Sequence, residues 1–214
     1  MRMAELSERS GVAVPTIKFY LREQLLASGE RTSPNQAAYD ESHVDRLRLV
    51  RALLDVGGLS VTAVRAVLAA IDNTELPLDW AFGIAQQALP AVLPDEDDAA
   101  SARAIDDLIA ERGWRIDPNN PGRATAARVL SRYESLGLGH LRQTAGEYLR
   151  AAEIVAAADL DSVIASPDRS TQVETVVVGT VLGDSLFAGL RRIAQEQRSH
   201  TLFDPTGSEC EEAQ

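Results

Sequence analysis

Several polar and aromatic side chains near the N-terminus are of the types that contact nucleic acid. Thr16, Lys18 and Arg22 fall within one short segment, with Phe19 between them. A hydroxyl group can bond a phosphate or a base edge, and Lys and Arg neutralise phosphates or reach guanine. At helical spacing these residues predict a DNA-binding surface. The alternative is the solvated outer face of an ordinary helical hairpin.

Two short helices joined by a tight turn are predicted to position these side chains. The first helix ends at Gly11, which suits the left-handed residue that starts a sharp turn. Pro15 fits the first turn of the second helix, because its missing N–H would be unpaired there. Ile17, Tyr20 and Leu21 then face the core. Such a unit can hold its second helix in a DNA major groove.

A hairpin and two further helices are predicted over the next 50 residues. A loop rich in turn formers indicates a small wing that carries Arg31. A third helix is predicted from about Glu41 to Val56, with Asp40 or Ser42 as its cap. Ser60 caps a fourth helix.

The order of these parts resembles the mercury-resistance regulator (MerR) family of bacterial transcription factors. The resemblance covers residues 1 to about 72. Its motifs are separated along the chain and occur in the same order, which makes the match specific. The matching residues are Met1-Arg-Met-Ala-Glu-Leu, Gly11-Val12, Thr16-Ile17-Lys18-Phe19-Tyr20, Leu25-Leu26, Arg31-Thr32, Tyr39-Asp40, His43-Val44-Asp45-Arg46-Leu47 and Gly57-x-Leu59-Ser60.

The resemblance implies a winged helix–turn–helix that binds a pseudo-palindromic promoter site as a homodimer. It further implies that the dimer bends and untwists the promoter so that RNA polymerase can engage both promoter elements, at a deformation cost of about a few kcal/mol. Together, the residue types and the resemblance place the DNA contacts at Thr16, Lys18, Phe19, Tyr20, Arg22, Arg31, Tyr39 and Arg46.

Some positions depart from the pattern that this family usually shows. Phe19 stands where a tyrosine is common, Pro15 where a basic residue is common, and Gln24 where glycine is common. In the wing, residues 36–38 replace a Gly-aromatic-Arg stretch, which removes a phosphate contact. We therefore expect the fold to be kept, while the affinity and the wing contacts differ.

The charge is divided unequally along the chain. The net charge is −11, yet residues 1–72 hold nine Lys/Arg and nine Asp/Glu. The remaining residues hold 12 and 23 respectively, and so carry the whole acidic excess. A neutral unit with clustered cations can dock on phosphate, whereas an acidic one is repelled. DNA contact is therefore expected from the N-terminal part alone.

Residues 73–100 are predicted to be a linker that contains a short helix. Pro77, Pro90 and Pro94 prevent a long unbroken helix there. A helix of roughly 14 residues from Leu78 is expected to show one apolar stripe. The resemblance implies an antiparallel dimerisation helix in this segment, and packing within its own chain is the alternative. The stripe consists of Leu76, Trp80, Ile84, Ala88 and Val92.

Residues 101–214 are predicted to form an all-helical domain for effector binding or dimerisation, ending in a loose acidic tail. Gly179 and Gly183 in its last helix indicate core packing, a dimer seam or a cavity wall. The predicted helices run from about Ala99 to Arg112, from the Asn119–Gly122 turn to about Leu136, from Gly139 to Asp159 or Ile164, and from a Ser166 cap to about Arg198. The aromatic residues Trp80, Phe82, Trp114, Tyr133, Tyr148, Phe187 and Phe203 are each expected in the core.

Side chains suited to catalysis or metal binding are scattered. His43, predicted at the surface, lies far along the chain from His140 and His200, and Cys210 stands alone. Metal sensing by thiolates needs two or more Cys. Adjacent Asp residues such as 106–107 point about 100° apart on a helix and read as solvated. The sequence therefore predicts no enzyme, no metal and no cofactor.

The fold class predicted is thus mainly α, with a winged helix–turn–helix at the N-terminus. The predicted function is a cytoplasmic, DNA-binding transcription regulator that acts as a homodimer, with RNA polymerase as a further partner and an organic small molecule as effector. A DNA-architectural or purely protein-interaction protein without an effector is the alternative. A ligand-binding or enzymatic helical domain with an incidental N-terminal unit is the third hypothesis. No leader and no apolar run near the ~20 residues of a membrane span is recognised.

Overall fold

The computed structural model describes residues 1–33, 36–73, 75–90 and 99–203. These ranges are mainly helical with one small sheet, as predicted. The helices are α1 (Met3–Ser10), α2 (Val14–Arg22), α3 (Glu41–Arg51), α4 (Val61–Asp72), α5 (Leu78–Ala88), α6 (Ala99–Glu111), α7 (Pro121–Ser135), α8 (Ala145–Ile164) and α9 (Arg169–Phe203). The strands are β1 (Glu30–Ser33) and β2 (Gln36–Ala38); a π-helical turn (Ala52–Val56) continues α3, and a 3₁₀ helix (Gly139–Thr144) precedes α8.

The helix–turn–helix forms where the local signals predict it. Helix α1 ends at Gly11, which adopts a left-handed φ of 67°. Pro15 lies in the first turn of α2. Ile17 and Tyr20 are buried, so that α2 packs on the core with one face and leaves the other exposed.

The predicted wing is confirmed as the antiparallel pair β1–β2, with Arg31 opposite Ala37. Gly29 precedes β1 at a place where a Cβ atom would clash with the β2 backbone and lie 2.9 Å from the Tyr39 ring. The Met1 amino group donates to the Tyr39 carbonyl at 2.6 Å, and the Tyr39 N–H donates back at 2.8 Å. These bonds attach the N-terminus to the end of the wing.

Helix α3 begins with the predicted Asp40 cap. The Asp40 carboxylate accepts a hydrogen bond from Ser42 Oγ at 2.6 Å and lies 2.7 Å from His43 Nδ1. The Ser42 bond first, and the His43 contact second, lower the pKa of Asp40 to about 2. The His43 side chain is only 12% exposed and packs edge-on against Tyr39. The predicted surface position of His43 is therefore wrong, since its ring is used in the cap.

One hydrophobic core joins the helix–turn–helix to the C-terminal half. Val177 and Val181 of α9 lie in the same buried cluster as Leu47 and Leu53. Gly57 follows the π-helical turn at the point of closest approach, where a Cβ atom would overlap Val181. Ser185 Oγ, also on α9, donates to the Val56 carbonyl at 2.9 Å. The long last helix thus packs directly on the end of α3, although the boundaries predicted at residues 72 and 100 stay a prediction.

Helix α5 departs from its predicted form. It has 11 residues, and its buried positions are Ala81 and Ala85. Trp80 is 66% exposed. The predicted stripe is confirmed at Leu76, Ile84 and Ala88, which are partly buried against the hydrophobic cores. It is wrong at Trp80, which points outward while the small alanines face the neighbouring helices. Val92, the last member of that stripe, lies outside the described residues.

The C-terminal helices follow the predicted order, with one corrected cap. Asn120 caps α7 as predicted, accepting from the Gly122 N–H at 2.9 Å. Helix α9 is capped by Asp168, whose carboxylate accepts from the Thr171 N–H at 2.9 Å. The predicted Ser166 cap is wrong, since its hydroxyl donates to the Ser162 carbonyl at 3.1 Å.

Helix α9 is long and apolar enough, by length and composition, to cross a membrane. The first half of this helix packs inside the protein, however. Val173, Val176, Val177 and Val181 are all buried. A core helix passes the same test of composition, and the buried valines place the first half of α9 in the core. The side chains from Leu190 to Phe203 are exposed.

The contact of α9 with the helix–turn–helix unit predicts the effect of one added methyl group. Gly57→Ala should lower the free energy of unfolding by about 1–3 kcal/mol, because the new Cβ overpacks against Val181. The matched change Gly146→Ala should be neutral or slightly stabilising, since a Cβ there meets no atom within 4 Å. Equal stability of the two variants in urea denaturation would contradict the packing described.

Candidate nucleic-acid interface

The exposed face of α2 carries two cations one helical turn apart. Lys18 and Arg22 are exposed, while Thr16 and Phe19 beside them are half-buried. The Arg22 guanidinium carbon lies 6.0 Å from the centroid of the Phe19 ring, within reach of a cation–π contact. The Phe19 ring thus faces the Arg22 guanidinium, and such a contact leaves the N–H donors at the guanidinium edge free to bind an anion.

A concave groove of about 580 Å³ lies between the start of α1, helix α2 and the wing. We call it the basic groove, because all three charged residues that line it are cations. They are Arg2, Lys18 and Arg31. The buried Tyr39 forms part of its wall. The groove therefore offers positive charge from three separate elements to one ligand.

The cations of residues 1–72 divide into two groups. Five of the nine form ion pairs, and the other four have no ion-pair partner among the residues that the structure describes. The unpaired ones all lie in the basic groove or on the outer face of α2. The pairs are Arg9–Glu41, Arg46–Asp72, Arg48–Asp45, Arg51–Asp55 and Arg65–Glu23. The unpaired cations are Arg2, Lys18, Arg22 and Arg31.

Three of the predicted DNA-contacting residues are buried or already paired, unlike the exposed cations of α2 and the wing. Tyr20 and Tyr39 are 6% and 8% exposed, and burial raises the pKa of both hydroxyl groups. Arg46 is half-buried and pairs with Asp72. The structure thus brings Lys18 and Arg31 together in the basic groove, beside Tyr39. The contacts of all eight predicted residues with DNA stay predictions.

Arg2 was missed by the sequence analysis. It stands directly before α1, and only the pairing of Met1 with Tyr39 brings it to the wing. No spacing rule links residue 2 to residue 31. The one signal for Arg2 is its place beside the N-terminus, because a chain terminus that pairs with the wing brings its neighbouring side chain there too.

A second concavity, of about 620 Å³, lies in the C-terminal half. It is lined by α6, α7, the 3₁₀ helix and α8, together with Gln86 of α5, and we call it the α6–α8 cavity. Trp114, Tyr133 and Tyr148 line this cavity. The prediction that they lie in the core is therefore wrong. Trp80 and Phe203 are also not in the core, being 66% and 81% exposed.

One ion pair lies at the wall of the α6–α8 cavity. Arg123 donates through Nε and Nη2 to the two carboxylate oxygens of Asp106, both at 2.6 Å. This two-fold bond lowers the pKa of Asp106 and raises that of Arg123. The Asp106 carboxylate stays accessible to solvent, as predicted, and in addition ties α6 to α7.

A third concavity, of about 460 Å³, lies between α5, α8 and α9. Gly179 and Gly183 form part of its wall, and a Cβ at either position would meet no atom within 4 Å. No helix thus packs closely on these glycines within the described part of the chain. Burial, with a smaller contribution from Asp159, raises the pKa of Asp184 at the same wall.

The side chains described contain no group of three or more His, Cys, Asp or Glu that could hold a metal ion. Cys210 and the acidic tail lie outside the described ranges. The concavities that the structure describes are a cationic groove and two cavities with largely apolar walls.

Comparison with known proteins assigns the N-terminal unit. The family model of the MerR HTH family regulatory proteins matches residues 1–71. Nodulation protein NolA of Bradyrhizobium elkanii is 41% identical over 56 residues, which are 26% of this chain and 26% of NolA. The mercuric resistance operon regulatory protein of Bacillus cereus is 30% identical over 74 residues, 35% of this chain and 55% of that protein. The chain thus matches less than two thirds of the length of either relative.

A solved structure extends the similarity to nearly the whole chain. It is the crystal structure of SCO5550, a proposed transcriptional regulator from Streptomyces coelicolor A3(2). The identity is 35% and the TM-score 0.68, and the match covers 95% of this chain and 98% of that one. The chain therefore belongs to the MerR family of helix–turn–helix regulatory proteins.

Proposed function

We propose that the protein is a cytoplasmic transcription regulator that binds a pseudo-palindromic promoter site as a homodimer. The observation that carries the proposal is the set of four unpaired cations around α2 and the wing. The other five cations of this unit already have carboxylate partners. Free cations on one face of a neutral unit give a local positive potential that attracts phosphate.

The arrangement suits a DNA duplex. In a helix–turn–helix the second helix enters the major groove, and here that helix is α2, with Lys18 and Arg22 on its exposed face. Arg31 on the wing and Arg2 before α1 flank it and would neutralise phosphates on the adjoining backbone. The acidic excess lies beyond residue 72, where repulsion by phosphate favours a position away from the duplex.

The end of α9 supports a second copy as a partner. Every residue from Leu190 to Phe203 is exposed. Leu186, Leu190 and Ile193 are exposed apolar residues at spacings of four and three, which is the pattern of a helix–helix seam. A helical segment of this length has marginal stability in water without a partner. Pairing with α9 of a second protomer would bury this side and join two DNA-binding units.

The effector proposed is an organic small molecule. The sequence has one Cys, whereas a thiolate metal site needs two or more. Membership of the MerR family favours a promoter as the DNA site and RNA polymerase as a further partner. Distortion of the promoter by the dimer would then couple binding to transcription.

The unpaired cations predict a specific change in the salt dependence of DNA binding. Lys18→Ala, Arg22→Ala and Arg31→Ala should each weaken binding to the DNA upstream of the gene. Each should also flatten the log–log salt slope by about one unit for every phosphate that is no longer neutralised, or about two in a dimer. The measurement is a gel shift or fluorescence anisotropy titration at several salt concentrations.

Arg48→Ala is the matched control for this series. Arg48 is exposed but pairs with Asp45, so its removal should leave the slope unchanged. Wild-type slopes in all three test variants would contradict the assignment of α2 and the wing to DNA.

The exposed seam on α9 predicts the oligomeric state. Leu190→Glu combined with Ile193→Glu should convert a dimer of twice 23.1 kDa into a monomer in sedimentation velocity, because charges would be buried at the seam. Leu136→Glu is the control, since Leu136 is 69% exposed at the end of α7. A dimer that survives the double change would exclude α9 as the contact between protomers.

A further inference from the structure

We propose that the α6–α8 cavity is a binding site for an uncharged aromatic organic molecule. Its volume of about 620 Å³ falls in the ~300–1,000 Å³ range of small-molecule sites. Val129 and Tyr148 in its wall are 41% and 43% exposed, so the concavity opens to solvent and a ligand can enter it.

The wall of the cavity selects for an aromatic, apolar body. Most of its lining side chains are aliphatic, and Trp114, Tyr133 and Tyr148 add three rings. Rings pack against flat ligands in offset or edge-to-face contacts, which contribute beyond the apolar area that they bury. Three aromatic rings around one cavity are well suited to bind a fused or linked ring system.

The charges at the wall select against an ionised ligand. Among the residues that the structure describes, Arg123 is the one charged side chain in the lining, and its guanidinium is already bonded to both carboxylate oxygens of Asp106. A charged group that left water for this site would find no unpaired counter-charge among the described lining side chains. Arg191, outside the lining, is already engaged by the Tyr148 hydroxyl and the face of its ring. Since burial of an unpaired charge is costly, the site favours a neutral molecule.

A polar contact at one end can orient the ligand. Asn120 Nδ2 donates to Gln86 Oε1 at 3.2 Å, and both residues line the cavity. Gln86 belongs to α5, whose adjacent Ala85 is buried in the core of the helix–turn–helix unit. An occupant of the cavity would therefore touch a helix that also packs on the DNA-binding unit. Only this regulatory consequence rests on the proposed function; the binding itself does not.

The test uses two probes that differ by one charged group. N-phenyl-1-naphthylamine is neutral, and 8-anilinonaphthalene-1-sulfonate has the same ring system with a sulfonate added. The neutral probe should bind at least about ten-fold more tightly and quench the fluorescence of Trp114. Trp80→Phe protein reports on Trp114 alone, because the chain has two Trp. Equal binding of the two probes, or no quenching of Trp114, would overturn the proposal.

Filling the cavity provides the second readout. Ala126→Phe places a ring in the cavity from α7 and should weaken binding of the neutral probe at least about ten-fold. Ala124→Phe, on the same helix but outside the lining, should leave it unchanged. Ala152→Phe fills the cavity from α8 and replaces the first variant if that one fails to fold. Wild-type affinity in a folded filling variant would overturn the proposal.

The assay also separates a ligand from a second protein copy. Probe affinity should be the same at protein concentrations above and below dimer dissociation. If the affinity for the probe changed when the dimer dissociated, the cavity would belong to the dimer contact, and the proposal would be overturned. Because the assay contains no DNA, a protein that fails to bind DNA but binds the probe would refute the proposed function alone.

Discussion

Helix α2 is held on the hydrophobic core by Ile17 and Tyr20, which are 0% and 6% exposed. A helix of nine residues is not stable in water alone, so this burial keeps α2 formed. The same packing fixes which face points outward, and with it the positions of Lys18 and Arg22. The other cations of the unit are engaged in ion pairs with its carboxylates. The protein thus leaves the charges around α2 for an external anion to neutralise.

The helix–turn–helix unit does not end its packing at its own boundary. Helix α9 lies against Gly57 and places Val177 and Val181 in the core of that unit. From there it runs to Phe203, where its exposed apolar side is free to meet a second protomer. Helix α5 lies on the same core and reaches the α6–α8 cavity through Gln86. The proposed dimer contact, the α6–α8 cavity and the proposed DNA-binding face are thereby connected through two helices.

Features set by neighbouring residues could be predicted from the sequence. Gly11, Pro15 and Ser60 act within a few residues of their own positions, so the helix bounds around them follow from local rules. Gln24 shows the limit of such rules, because it adopts a φ of 59° where the family usually has glycine. Arg2 joins the basic groove only through pairing of the N-terminus with the wing. The cavities and the packing of α9 likewise depend on tertiary contacts, which the helical periodicity of one segment does not encode.

The salt dependence of wild-type DNA binding tests the central claim most directly. Four unpaired cations in each of two protomers should displace about eight counterions from the duplex. The plot of log affinity against log salt, measured on the DNA upstream of the gene, should then have a slope of about −7. A slope no steeper than about −4, the value expected for one protomer's four cations, would contradict the account.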